Sequence, residues 1–279
     1  MKNILVPTDL LDVALNAAEY AVNFANYVGA EKIILYNAYQ APIVTEPWVP
    51  AMQMLDFDNL KNISNTGLQQ LKTKLSALPH TNIAIEIRSD FSLVSAGIED
   101  VCNQLNIDLI ILGITGGNIL EEILIGSTAT ELAQHTSYPV LIVPPNAIFV
   151  PVKKVLFACD YEAVATTTPV ADMKKVFGQT IASLNVLHVN EHEEGTYDYS
   201  NAMQFLAENF SEYEPGFYFV KHNDFVEGLQ QFLQTHPSDL LVTIPKKHGL
   251  FERLFKRSRV KHLAFHTNVP LLCIHQPES

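Results

Sequence analysis

The run Leu109-Ile110-Ile111-Leu112-Gly113-Ile114-Thr115-Gly116 is followed, after nine residues, by Gly126-Ser127-Thr128. Consecutive apolar residues bounded by turn signals read as a buried strand. The glycines that follow give the spacing G-x2-G-x9-G-[ST], and a helix is expected from Ser127. Strand, glycine loop and helix in that order make an α/β unit. Glycine lets bare backbone approach a ligand. Backbone N–H groups in such a turn, together with the positive end of the following helix, suit a phosphate. The chain has no G-x4-G-K-[ST], so no lysine stands ready for a terminal phosphate, and the glycines are too widely spaced for a dinucleotide fingerprint.

Working outward, the chain is written twice. Asn3-Ile-Leu-Val-Pro-Thr-Asp9 returns as Lys154-Val-Leu-Phe-Ala-Cys-Asp160, offset by 151 positions. Asp108-Leu-Ile-Ile-Leu returns as Asp239-Leu-Leu-Val-Thr, and His135-Thr-Ser-Tyr-Pro139 as His266-Thr-Asn-Val-Pro270, both offset by 131. The first copy therefore carries 20 extra residues, placed between residues 40 and 78, where Pro42, Pro47 and Pro50 form turns and the single tryptophan, Trp48, lies. Strands are expected near 3–7, 32–38, 82–88, 108–112 and 139–143, and helices near 12–28, 52–77, 93–105 and 127–135. The first helix repeats its apolar residues with a period of 3.6 and ends at Gly29, a C-cap. The second half repeats this order, with a helix from Phe225 to Thr235 between Asn223 and Pro237. Alternating strands and helices with near-continuous apolar strands predict parallel, doubly wound sheets covered on both faces. The expected domains are 1–146 and 152–279, with the turn-rich Pro144-Pro145-Asn146 at the boundary.

Composition narrows the function classes. The 279 residues are 48% apolar, and the net charge of −12 argues against broad binding to nucleic acid or anionic membrane. Cys102, Cys159 and Cys273 are scattered and lie in or beside apolar runs, which fits buried thiols in a reducing compartment. The N-terminus lacks secretory-signal features, and no apolar stretch approaches the ~20 residues that span a bilayer. The expectation is a soluble, cytoplasmic protein.

Val6-Pro7-Thr8-Asp9, the glycine loop and the closing Tyr138-Pro139-Val140-Leu141-Ile142-Val143 together resemble the universal stress protein family across the first half, and more weakly across the second. The chain is similar to tandem members with two such domains. The resemblance implies five-stranded parallel sheets and an adenine nucleotide, ATP with or without Mg2+, at the strand C-termini. It places Pro7, Thr8 and Asp9 beside the adenosine, and Ala38 beside adenine. Leu112, Gly113, Gly116, Gly126, Ser127 and Thr128 surround ribose and phosphates. Thr128 stands where relatives often carry an aliphatic residue. The second copy departs from the motif: Ile244, Lys247 and Arg257 replace Gly113, Gly116 and Gly126, and only Ser258 is kept. One competent site and one degenerate copy follow. The resemblance also implies that the closing strands join the halves as an internal pseudo-dimer, with a homodimer of whole chains open.

Two further clusters stand out. Residues 246–262 hold seven of the 18 basic residues, either a solvated face or an anion site. His188, Glu191, His192, Glu193 and Glu194 read as strand end and acidic loop, not as a helical metal motif. No nucleophile–base pair is visible. A nucleotide-dependent stress-response regulator therefore leads, with a slow ATPase or phosphotransferase as one alternative. A nucleotide-independent scaffold binding an anion through the second domain is the other.

Overall fold

Strand β1 (Asn3–Pro7) alternates its side chains between two cores, and each of its neighbours does the same. Ile4 and Val6 face one layer with Ile33, Leu35, Leu109 and Ile111. Leu5 faces the other with Ile34, Ile110 and Leu112. Both faces are covered, which is why these strands read as unbroken apolar runs. The computed structural model describes residues 1–40, 56–79, 83–114, 127–178, 181–190, 198–245 and 268–276.

In the first half, α1 (Asp12–Val28), β2 (Lys32–Tyr39), α2 (Phe57–Ser76), β3 (Ala84–Phe91), α3 (Val94–Leu105), β4 (Leu109–Gly113), α4 (Ser127–His135) and β5 (Val140–Val143) follow β1. Gly29 ends α1 in the left-handed conformation, φ 65°, its N–H bonded to the Ala25 and Asn26 carbonyls. The second half runs β6 (Lys154–Ala158), α5 (Val164–Thr167), α6 (Val170–Phe177), β7 (Ser183–Asn190), α7 (Ser200–Asn209), β8 (Gly216–Lys221), α8 (Phe225–Thr235), β9 (Leu240–Thr243) and β10 (Leu271–Cys273). The ten strands among the described residues form one sheet in the order β3-β2-β1-β4-β5-β10-β9-β6-β7-β8. Every neighbouring pair is parallel except β5 with β10, where Val140, Leu141 and Ile142 lie opposite Cys273, Leu272 and Leu271. The chain leaves β1 for β2 and β3 on one side, then crosses to β4 and β5 on the other. The switch point therefore lies between β1 and β4, where open sheets of this kind bind ligands.

Hydrogen bonds repeat with the sequence offsets. The Asp108 carboxylate accepts from the Lys2 and Asn3 amides, and the Asp239 carboxylate accepts from Lys153 and Lys154. The Asp9 side chain accepts from the Leu11 amide, and Asp160 from Glu162, both at 3.0 Å. The halves are tied beyond the β5–β10 seam. Phe149, in the link, makes ring contacts with Tyr20, Phe24 and Tyr27 of α1. Asn16 donates to the Pro144 and Ala147 carbonyls, and Lys175 of α6 pairs with Asp108.

Several expectations need correction. β3 spans Ala84–Phe91, not 82–88, because it pairs along the whole of β2. Its polar second half, Arg88-Ser89-Asp90, is tolerated at a sheet edge. The described part of α2 begins at Phe57, capped by the Asp56 side chain on the Asn59 amide, and residues 52–55 lie outside the described residues. α2 is 20 residues long against 10 for α7, which places half of the extra length in the helix itself. The counterpart of α1 is broken into α5 and α6 at Thr168-Pro169. Proline lacks an N–H and drives the residue before it out of the helical region, and Thr168 is extended at φ −88°, ψ 115°. α8 spans Phe225–Thr235 as expected, with Asp224 as its cap. His188 lies within β7 and is buried, not at a solvated strand end. Trp48, His192 and residues 246–262 lie outside the described residues.

Candidate functional site

The end of β1 is shaped by its own polar side chains. The Thr8 amide continues the ladder onto the Tyr36 carbonyl at 2.8 Å. The Thr8 hydroxyl then accepts from the Leu10 amide at 3.0 Å, and the Asp9 carboxylate from the Leu11 amide. These short-range bonds turn the chain sharply into α1, with Leu10 at φ 65°. A leucine in the left-handed region costs about 1–2 kcal/mol, and two side-chain caps hold it there.

Beside this turn, at the switch point, is a cavity of about 310 Å³. Pro7, Thr8 and Asp9 form one wall, Ala38 a second, and Leu112 and Gly113 a third. Thr128, in the first turn of α4, closes the far side. These seven expected residues come from three strands and a helix far apart in sequence, and they meet in one space. Ser127 is the first residue of α4, next to Thr128. Gly116 and Gly126 lie outside the described residues.

Sequence reasoning missed Ala14, Tyr36, Asn37, Val94 and Ala129, which also line the cavity. Ala14 and Ala129 are small residues in the first turns of α1 and α4, where a larger side chain would fill the space. Asn37 carried a readable signal, a polar residue at the end of the apolar run Ile33-Ile34-Leu35-Tyr36. Its amide donates to the Thr8 carbonyl at 2.8 Å and accepts from the buried Ser64 hydroxyl at 2.7 Å. Tyr36 meets Ser92 at 3.1 Å, and burial pushes its phenol above the ordinary range.

At the corresponding place in the second half, among the described residues, Ala158, Asp160, Val164, Thr167, Thr168 and Ile244 surround only about 10 Å³, about the least that one water needs. Ile244 stands where the first half has Gly113, and the residue after it is Pro245. The three cysteines are buried free thiols, and burial pushes Cys102 up to about 12 and Cys273 higher still. Among the described residues no group of three or more metal-ligating side chains occurs, and no helix is long and apolar enough to cross a membrane.

Comparison with known proteins agrees with this fold. A universal stress protein of Methanocaldococcus jannaschii is 29% identical over 142 residues, covering 51% of this chain and 81% of that protein. The crystal structure of a universal stress protein from Archaeoglobus fulgidus superposes with a TM-score of 0.74 at 18% identity, covering 98% of both chains. A functionally unknown protein from Pseudomonas aeruginosa gives a TM-score of 0.58 at 16% identity, covering 99% of this chain and 93% of that one. At these identities the two structures speak for the fold alone. The universal stress protein family model matches residues 1–144, more than half of the sequence, and the chain belongs to that family.

Proposed function

We propose that the chain is an ATP-binding regulatory protein of the stress-response type, holding one nucleotide in its first half. The observation that carries this reading is the contrast, among the described residues, between a cavity of about 310 Å³ at the first switch point and about 10 Å³ at the second. The larger lies within the range of small-molecule sites, ~300–1,000 Å³. In this reading the Asp9 carboxylate accepts from a ribose hydroxyl, and Ala38 offers backbone groups to adenine. Gly113, Gly116 and Gly126 let the phosphates approach bare amides at the positive end of α4. The Ser127 and Thr128 amides complete the seat, with Mg2+ optional. The domains are 1–146, which binds, and 152–279, which has lost its site, and the location is cytoplasmic.

Binding needs no general base, and the reading assigns none. Phosphate release slower than about 1 s⁻¹, the low end for ordinary enzymes, is therefore expected. Mass spectrometry of the purified protein tests the ligand, and calorimetry the stoichiometry. One ATP per chain is the expected result. Two equivalent sites, or no affinity for ATP, would overturn the proposal.

A further inference from the structure

Asn37 and Ser64 form a directed chain of hydrogen bonds, and its direction follows from chemistry. The Thr8 carbonyl can only accept, so the Asn37 atom 2.8 Å away is its Nδ2 donor. The amide oxygen is then turned to Ser64, whose hydroxyl donates to it at 2.7 Å. Reversing the amide would set two acceptors against each other. Ser64 is 3% exposed, so the hydroxyl has little access to water as a substitute.

The second half contains the same device in different residues. His188, at the position of Asn37, meets the Cys159 carbonyl through Nδ1 at 2.9 Å. Tyr199 meets Nε2 at 3.3 Å. The carbonyl again fixes the donor, so Nδ1 carries a proton, and in the neutral ring Nε2 accepts from the tyrosine hydroxyl. In both halves a hydroxyl from the following helical region orders a β-strand side chain, which holds the carbonyl just before the aspartate. The two relays differ in one respect. An imidazole in its neutral form has a single N–H, which at His188 would go to the carbonyl. The Asn37 amide has two, and only one is used among the described residues. The half with a spare donor is the half with the open cavity, and Asn37 lines that cavity.

We infer that Asn37, oriented by Ser64, both holds the Thr8-Asp9 turn in place and donates its second N–H to an acceptor atom of the bound nucleotide. The second role rests on the nucleotide-binding reading above; the first does not. Asn37 is thus a positioning and specificity-determining residue, and Ser64 acts through it.

Two substitutions separate the roles. Asn37→His copies the second half: it keeps a donor for the Thr8 carbonyl and an acceptor for Ser64, and removes the spare N–H. Asn37→Asp removes every donor and sets a carboxylate against the carbonyl. Hydrogen exchange at the Leu10 and Leu11 amides reads the turn without any ligand, and calorimetry with ATP reads binding. For Asn37→His, exchange within about twofold of the parent and ATP affinity weaker by about tenfold are expected, the scale of one hydrogen bond. For Asn37→Asp, exchange at both amides should rise about tenfold or more and affinity should fall further. Ser64→Ala, a milder change should Asn37→Asp fail to fold, should raise the same exchange a few-fold. Parent-like affinity in Asn37→His overturns the donor role. Unchanged exchange in Asn37→Asp, or in Ser64→Ala if it replaces that variant, overturns the positioning role. A parent protein that does not bind ATP overturns the proposed function and the donor role, while the exchange experiment still decides the turn.

Discussion

Gly97 shows how closely the walls of the site are packed. A Cβ there would stand 2.0 Å from the Tyr36 hydroxyl and 2.2 Å from Ser92 Oγ. Neither is a distance a real Cβ tolerates, so α3 can approach β2 only with glycine at this position. Gly97→Val is expected to destabilise the protein by about 1–3 kcal/mol, the range for forced overpacking, read as a lower denaturant midpoint at unchanged slope. Asp9 differs: it is exposed, and its structural task is a single bond to the Leu11 amide. Asp9→Ala should cost about 1 kcal/mol of stability, the scale of a lost cap, and should weaken ATP binding by more than that bond explains. An unaltered ATP affinity would remove Asp9 from the site. At this scale the sequence revealed residues whose type is unusual for its place, such as an aspartate closing an apolar strand. Tyr36 and Ala14 escaped because tyrosine in a strand and alanine in a helix are ordinary. Only the tertiary arrangement gives them a cavity to line.

Among the elements, the strands were legible to within a residue or two wherever both faces are apolar, as in β1, β4 and β5. β3 was displaced because an edge strand carries a weaker pattern. The break between α5 and α6 was written in Thr168-Pro169, yet the internal repeat pointed to an unbroken helix like α1. Local backbone chemistry prevailed, since a proline cannot donate its missing N–H whatever its counterpart does. Gly29 gives a clean test of backbone strain. Its φ is 65°, and an added Cβ would have nothing within 4 Å. Gly29→Ala should therefore cost about 1 kcal/mol through conformation alone, measured by thermal unfolding. A larger loss would mean that packing is also involved.

For the whole molecule, the seam between the halves carries a pH dependence. His275, just beyond β10, bonds the Ala133 carbonyl of α4 at 3.0 Å. Burial holds its pKa below the ordinary value, with the carbonyl bonds opposing more weakly. The unfolded chain therefore takes up this proton at a higher pH than the folded one. Stability should be unaffected above about pH 6.5 and should fall as pH drops below it. His275→Gln should flatten that slope in urea titrations between pH 7 and 5. Asp108 adds a second, lower step. Burial pushes its carboxyl up, but Lys175 and the Lys2 and Asn3 amides prevail and hold it below the usual range. Its contribution is complete above the unfolded carboxylate pKa, near 3.9, and is lost as the pH falls further. Slow exchange at the Val140–Val143 amides would accompany a closed seam, and rapid exchange at neutral pH would contradict it.

The antiparallel pairing of β5 with β10 is the one reversal of direction in an otherwise parallel sheet. Strands that point one way on one side of it point the opposite way on the other. The cavity of the first half and the matching strand ends of the second therefore lie at opposite edges of the sheet. Under the proposed function, a nucleotide held by the first half would face away from any contact made at the strand ends of the second.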